Sequence, residues 1–75
     1  ILAFIEDCRN DNGDVEGIYN EATREVYIRY DEFCIKNNFR PVNRLTFSKQ
    51  LNQALGTTVK NMRLNGKQCK VFVEQ

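Results

Sequence analysis

Lys49, Asn52 and Gln53 follow one another at spacings of three and one, which a helix gathers on one side. Further on, Lys60, Arg63, Lys67 and Lys70 surround an Asn65-Gly66 pair, and Glu74 is the sole acid of residues 38–75. Such a set can neutralise phosphate and hydrogen-bond to base edges. Lysine meets phosphate or guanine, and carboxamides such as those of Asn52 and Gln53 match adenine edges. The bland alternative is a solvated helix face beside a lysine-protected strand edge. The two elements that would touch a nucleic acid carry nearly all of the basic half of the chain, and that coincidence favours binding.

Catalytic chemistry finds little to work with. The chain has no histidine and one serine, Ser48, so neither a hydroxyl nor a thiol has an adjacent base of the usual kind. Cys8, Cys34 and Cys69 are an odd number at wide spacings, which argues against a disulfide framework or a zinc site and fits small buried apolar groups in a reducing cytosol. "CRNDNGDVEG" superficially resembles a calcium loop, but with Gly13 at the sixth position the first is Cys8 and the twelfth Tyr19, where acids are required. The four glycines are scattered, so no phosphate loop is present. The sequence therefore reads as non-catalytic, with no metal and no cofactor.

A chain of 75 residues, 41% hydrophobic and 28% charged, makes one small domain over residues 1–75. Folding at this size buries roughly 60% of the unfolded surface, enough for a modest core. No apolar run approaches the roughly 20 residues needed to span a bilayer, and no signal pattern opens the chain. Because it starts at Ile1, we expect a piece of a longer protein. The net charge of +1 hides an asymmetry. Residues 1–37 hold four Lys/Arg against nine Asp/Glu, a net −5, and residues 38–75 hold seven against one, a net +6. One basic side of a domain is a plausible nucleic-acid footprint.

The elements that must position these residues follow from periodicity. Ile1, Phe4, Ile5 and Cys8 keep the i, i+3, i+4, i+7 rule of a first helix, which ends in the turn-forming "NDNGD". "VEGIY", Val15–Tyr19, reads either as a very short strand or as an irregular crossing. A second helix is expected over Glu21–Asn37, capped by Asn20 or Thr23, with Val26, Tyr27, Tyr30, Phe33 and Cys34 inward. After a short turn through Pro41, Asn43 caps a third helix over Arg44–Leu55, with Val42 and Phe47 placed for a hydrophobic staple. Phe47, Leu51, Ala54 and Leu55 form its inner side, and Gly56 ends it. Asn65-Gly66 suits a type I′ turn. That turn pairs Leu64 with Lys67, Met62 with Cys69 and Lys60 with Val71, so Met62, Leu64, Cys69, Val71 and Val73 are expected on the helix-packing face. Arg63, Asn61, Gln68 and Lys70 are then expected to face outward.

Three helices followed by a hairpin make an α+β chain, a winged helix-turn-helix with the hairpin as wing. In such folds the second helix of the pair enters the major groove. Candidate DNA-binding residues are Arg44, Ser48, Lys49, Asn52 and Gln53 on the third helix, and Arg63, Lys67 and Lys70 on the wing. The free N–H groups at the helix start can also meet a phosphate.

"EVYIRYDEFCIKNNFRPVNRLTFSKQL" resembles the C-terminal module of phage and plasmid primase–helicases of the satellite-phage/poxvirus type. The matching positions are Tyr27, Tyr30, Phe33-Cys34, Asn37-Asn38, Pro41, Asn43 or Arg44, and Phe47, with "FIEDC" near the start and the basic terminal hairpin. Phe33 stands where the family usually shows Trp, and Asn38 where it often shows Gly. The resemblance implies a winged-helix module behind a superfamily-three helicase core, acting in the cytoplasm of a bacterial or phage-infected cell. Its partners would be double-stranded DNA, an origin or a single-stranded template, and the helicase/ATPase core of the same polypeptide. The alternative is a protein–protein docking module that uses the acidic first half.

Overall fold

The computed structural model describes residues 1–75. Three helices, α1 (Leu2–Asp7), α2 (Thr23–Lys36) and α3 (Arg44–Leu55), precede two strands, β1 (Thr57–Leu64) and β2 (Lys67–Glu74). The strands form one antiparallel hairpin. This α+β order is compatible with a winged helix-turn-helix. No helix is long and apolar enough to cross a membrane.

The core joins every element. Phe4 and Ile5 of α1, Ile18 from the segment before α2, Val26, Tyr30 and Cys34 of α2, Phe47 and Leu51 of α3, and Phe72 of β2 form one buried cluster, with Val59 of β1 packed against it. Phe47 lies at its centre. Its ring stacks on Tyr30 at 4.4 Å and meets Tyr27 at 5.5 Å, Phe4 at 6.0 Å and Phe72 at 6.4 Å, the offset and edge-on arrangements aromatic rings favour. "VEGIY" is an irregular crossing. Val15 makes a single bridge to Arg9, and Ile18 then plugs the core, fully buried.

Two expectations are corrected. The second helix starts at Thr23, and Ala22 occupies the capping position with no side-chain hydrogen bond, so neither Asn20 nor Thr23 is the cap. The residues before the helix are otherwise engaged. Asn20 N–H donates to Phe72 O at 2.6 Å, Phe72 N–H donates to Glu21 O at 3.1 Å, and Ala22 bridges Val71. Pairing with β2 fixes this segment, with Asn20 in the left-handed region at φ 63° and Ala22 extended, and these long-range bonds outweigh the local capping preference.

The hairpin keeps the expected register but turns its faces over. Asn65 and Gly66 both have positive φ, 53° and 79°, as a type I′ turn requires, and Leu64↔Lys67, Met62↔Cys69 and Lys60↔Val71 pair. Phe72 and its partner Val59, however, pack on the helices, while Met62 is 37% exposed. Side chains alternate across a sheet, so Asn61, Arg63, Gln68 and Lys70 continue the Val59–Phe72 face. They lie on the helix side of the hairpin, beyond the end of the core. Val71 is fully buried on the other face, where Ala22 pairs beside it. Leu64, Cys69 and Val73 stay half-buried. Only the hairpin base is covered by helices, so one buried phenylalanine there decides the face against a longer apolar stripe.

Candidate nucleic-acid interface

The position of α3 is set from both ends. The Tyr27 hydroxyl donates to Val42 O at 2.7 Å, and Val42 N–H donates to the Tyr30 hydroxyl at 3.1 Å. Two tyrosines of α2 thus clamp the turn into α3. Asn43 Oδ1 then accepts from Thr46 N–H at 2.8 Å, the expected cap. At the far end Gly56 takes the left-handed conformation with φ 65°, and Thr57 Oγ1 donates to Asn52 Oδ1 at 2.7 Å. With Phe47 and Leu51 fully buried, the rotation of α3 is fixed. Gln53 is exposed on the outer side, while Arg44, Leu45, Ser48, Lys49 and Asn52 border the side toward the hairpin.

A groove of about 470 Å³ runs between α3 and the hairpin, lined by Arg44, Ser48, Lys49, Asn52 and Lys70 together with Thr23, Leu45 and Val59. Five of the eight candidate residues therefore meet on one surface. Lys67 stands in the adjoining depression at the hairpin tip, which also takes in Arg44, Lys70 and Arg24. Gln53 is exposed on the outer side of α3, and Arg63 is exposed on the Lys70 face of the hairpin. Neither lines the groove. Asn52 already spends one acceptor position on Thr57, so its Nδ2 is the part left to reach outward. Capping engages Thr46 N–H, which leaves the N–H groups of Arg44 and Leu45 unbonded within the chain.

The electrostatics are one-sided. The two ion pairs, Arg9–Glu6 at 2.9 Å and Arg24–Glu25 at 3.8 Å, both lie in the acidic half. No cation of residues 38–75 has a carboxylate within 4.0 Å. Glu25 is the one acid at the edge of the basic surface. A separate cleft of about 690 Å³ collects Asp7, Glu16 and Glu32 with Arg9, Arg29 and Lys36, three charges of each sign. Cys8 lines it, and burial holds its thiol above the usual range. The Arg29 charge works against this and Asp7 adds to it. A thiol kept protonated is a poor nucleophile. No three His, Cys, Asp or Glu side chains converge to hold a metal ion.

Sequence reasoning missed three lining residues, Thr23, Leu45 and Val59. Thr23 and Val59 carry no signal of their own until the hairpin folds back. Leu45 had one, since it falls outside the Phe47–Leu51–Leu55 stripe of its helix.

Comparison with known proteins gives one family. Its sequence profile, described as Poxvirus D5 protein-like, matches residues 1–75. No curated protein and no solved structure matches the chain. The family match agrees with the poxvirus-type part of the resemblance found in the sequence. The chain belongs to the Poxvirus D5 protein-like family.

Proposed function

We propose that this chain is the DNA-binding winged-helix module of a replicative primase/helicase. It stands C-terminal to the ATPase core and is itself non-catalytic. The observation that carries the reading is the convergence of Arg44, Lys49 and Lys70 on one groove, free of any carboxylate partner. Membership of a poxvirus D5-like family supports a setting in viral DNA replication.

In this reading α3 enters the major groove, which at about 12 Å admits a helix with its side chains. Lys67, Lys70 and Arg63 then follow the adjacent backbone, and Arg44 meets a phosphate at the helix start. Such contacts position the protein and carry no sequence information. Base reading falls to Lys49, Gln53, Ser48 and the free Nδ2 of Asn52. The net −5 of residues 1–37 favours a second, compatible role in docking on a basic part of the helicase core.

The test is a titration of backbone amide shifts with duplex and with single-stranded oligonucleotides. Duplex should move Arg44–Gln53 and Arg63–Lys70 together and leave Asp7–Glu16 unmoved. Shifts confined to the acidic half, or none with either nucleic acid, would overturn the reading.

A further inference from the structure

We propose that Leu45 reads the 5-methyl group of a thymine in the major groove, an inference that rests on the DNA-binding reading above. At 70% exposed, Leu45 is the most exposed large apolar side chain of the molecule. It belongs neither to the core cluster nor to the apolar residues packed against it, so the fold gains almost nothing from a leucine here. Ile35 and Leu2 are nearly as exposed, at 69% and 68%, but both lie in the acidic half on α2 and α1. Leu45 alone among them stands within the basic surface, beside Arg44, Ser48, Lys49 and Lys70.

An isolated exposed leucine needs no explanation. This one sits in register with the polar side chains. Lys49 follows it by four positions and Asn52 by seven, so the three share one helix stripe. A helix rises about 1.5 Å per residue, which puts Leu45 about 6 Å from Lys49 along the axis, roughly two base-pair steps. The thymine methyl is the one apolar group on the base edges of the major groove, and apolar side chains contact it. A leucine offers cytosine nothing in return for its N4 donor. Leu45 therefore selects a T·A pair about two steps from the base or phosphate that Lys49 meets.

The experiment has two stages. The chain and its Leu45→Ala variant, first checked by thermal melting to be folded, are each used to select duplexes from a random pool. The parent should enrich one thymine that the variant does not. That thymine is then replaced by deoxyuridine, which removes only the methyl, and both proteins are titrated by anisotropy. Loss of one buried methyl contact should weaken the parent about fourfold, while Leu45→Ala binds the two duplexes alike. Enrichment without a thymine, equal parental binding to both duplexes, or an unchanged thymine-to-deoxyuridine ratio in Leu45→Ala would overturn the inference and leave DNA binding standing. If the parent binds no duplex, the inference falls together with the reading it rests on.

Discussion

Phe47→Ala should come close to unfolding the domain. The ring is fully buried and touches aromatic partners from α1, α2 and β2. No single neighbour can therefore shift to fill its place without loosening another element. Truncating a buried phenylalanine costs about 3–5 kcal/mol. The stacked contact with Tyr30, at 4.4 Å, adds about 0.5–1.5 kcal/mol beyond area alone, which puts the cost toward the top of that range. A domain of 75 residues has about 4–11 kcal/mol in total, so the variant keeps little margin. Taking about 5 kcal/mol, the midpoint should fall by about 20–40 °C. Thermal melts followed by circular dichroism measure this, with Phe39→Ala as control. Phe39 is 52% exposed and should shift the midpoint by only a few degrees. A Phe47→Ala midpoint within a few degrees of the parent would refute the packing described for α3.

Three further outcomes follow from the same geometry. Phe72→Ala should cost nearly as much as Phe47→Ala, and Met62→Ala less than about 1.5 kcal/mol; the reverse order in urea unfolding would restore the opposite hairpin face. Lys49→Glu should weaken binding to every duplex, whereas Gln53→Ala should cost about 1–3 kcal/mol only on a preferred sequence; anisotropy on random and selected duplexes separates them, and equal Gln53→Ala losses on both would remove it from base reading. Burial raises the Tyr30 hydroxyl above its ordinary value of about 10, against a hydrogen bond from Val42 N–H that lowers it. The folded state thus favours the protonated phenol, and this contribution is present below about pH 10 and lost as pH rises beyond it. Tyr30→Phe should flatten that alkaline decline in urea midpoints while losing about 1 kcal/mol at neutral pH, and an equally steep decline in the variant would show that Tyr30 is not its source.

Local chemistry made much of this molecule legible in its sequence. Asn43 and Gly56 bound α3 where their side-chain and backbone preferences place its ends. Asn65-Gly66 alone fixes every pair of the hairpin, because a two-residue turn allows one register. What the sequence concealed was long-range. The start of α2 depends on Asn20 and Glu21 bonding Phe72, a partner that no local preference near residue 20 reveals. The hairpin face was misread because alternation says which residues go together and not which set is covered. Five apolar residues on one side outnumber Val59 and Phe72, yet the helices cover only the base, where Phe72 lies. In the site, cations announced themselves by type. The bond between Asn52 and Thr57 did not, since it exists only once the chain reverses at Gly56. Leu45 escaped notice because an apolar side chain does not look like chemistry until its surroundings are seen to be charged.

The measurement that bears most directly on the central claim is a salt series of duplex binding by fluorescence anisotropy. The parent chain is compared with a triple variant in which Arg63, Lys67 and Lys70 are all Gln. None of the three is buried, so the variant should fold. Three to five phosphate contacts, drawn from Arg44, Lys49 and the hairpin cations, predict a slope of log affinity on log salt of roughly −3 to −4.5 for the parent. The triple variant should bind all duplexes more weakly, with a slope shallower by up to about 3. A flat dependence in the parent, or a variant that matches it in both slope and affinity, would contradict DNA binding by this surface and leave its charge to contacts with protein.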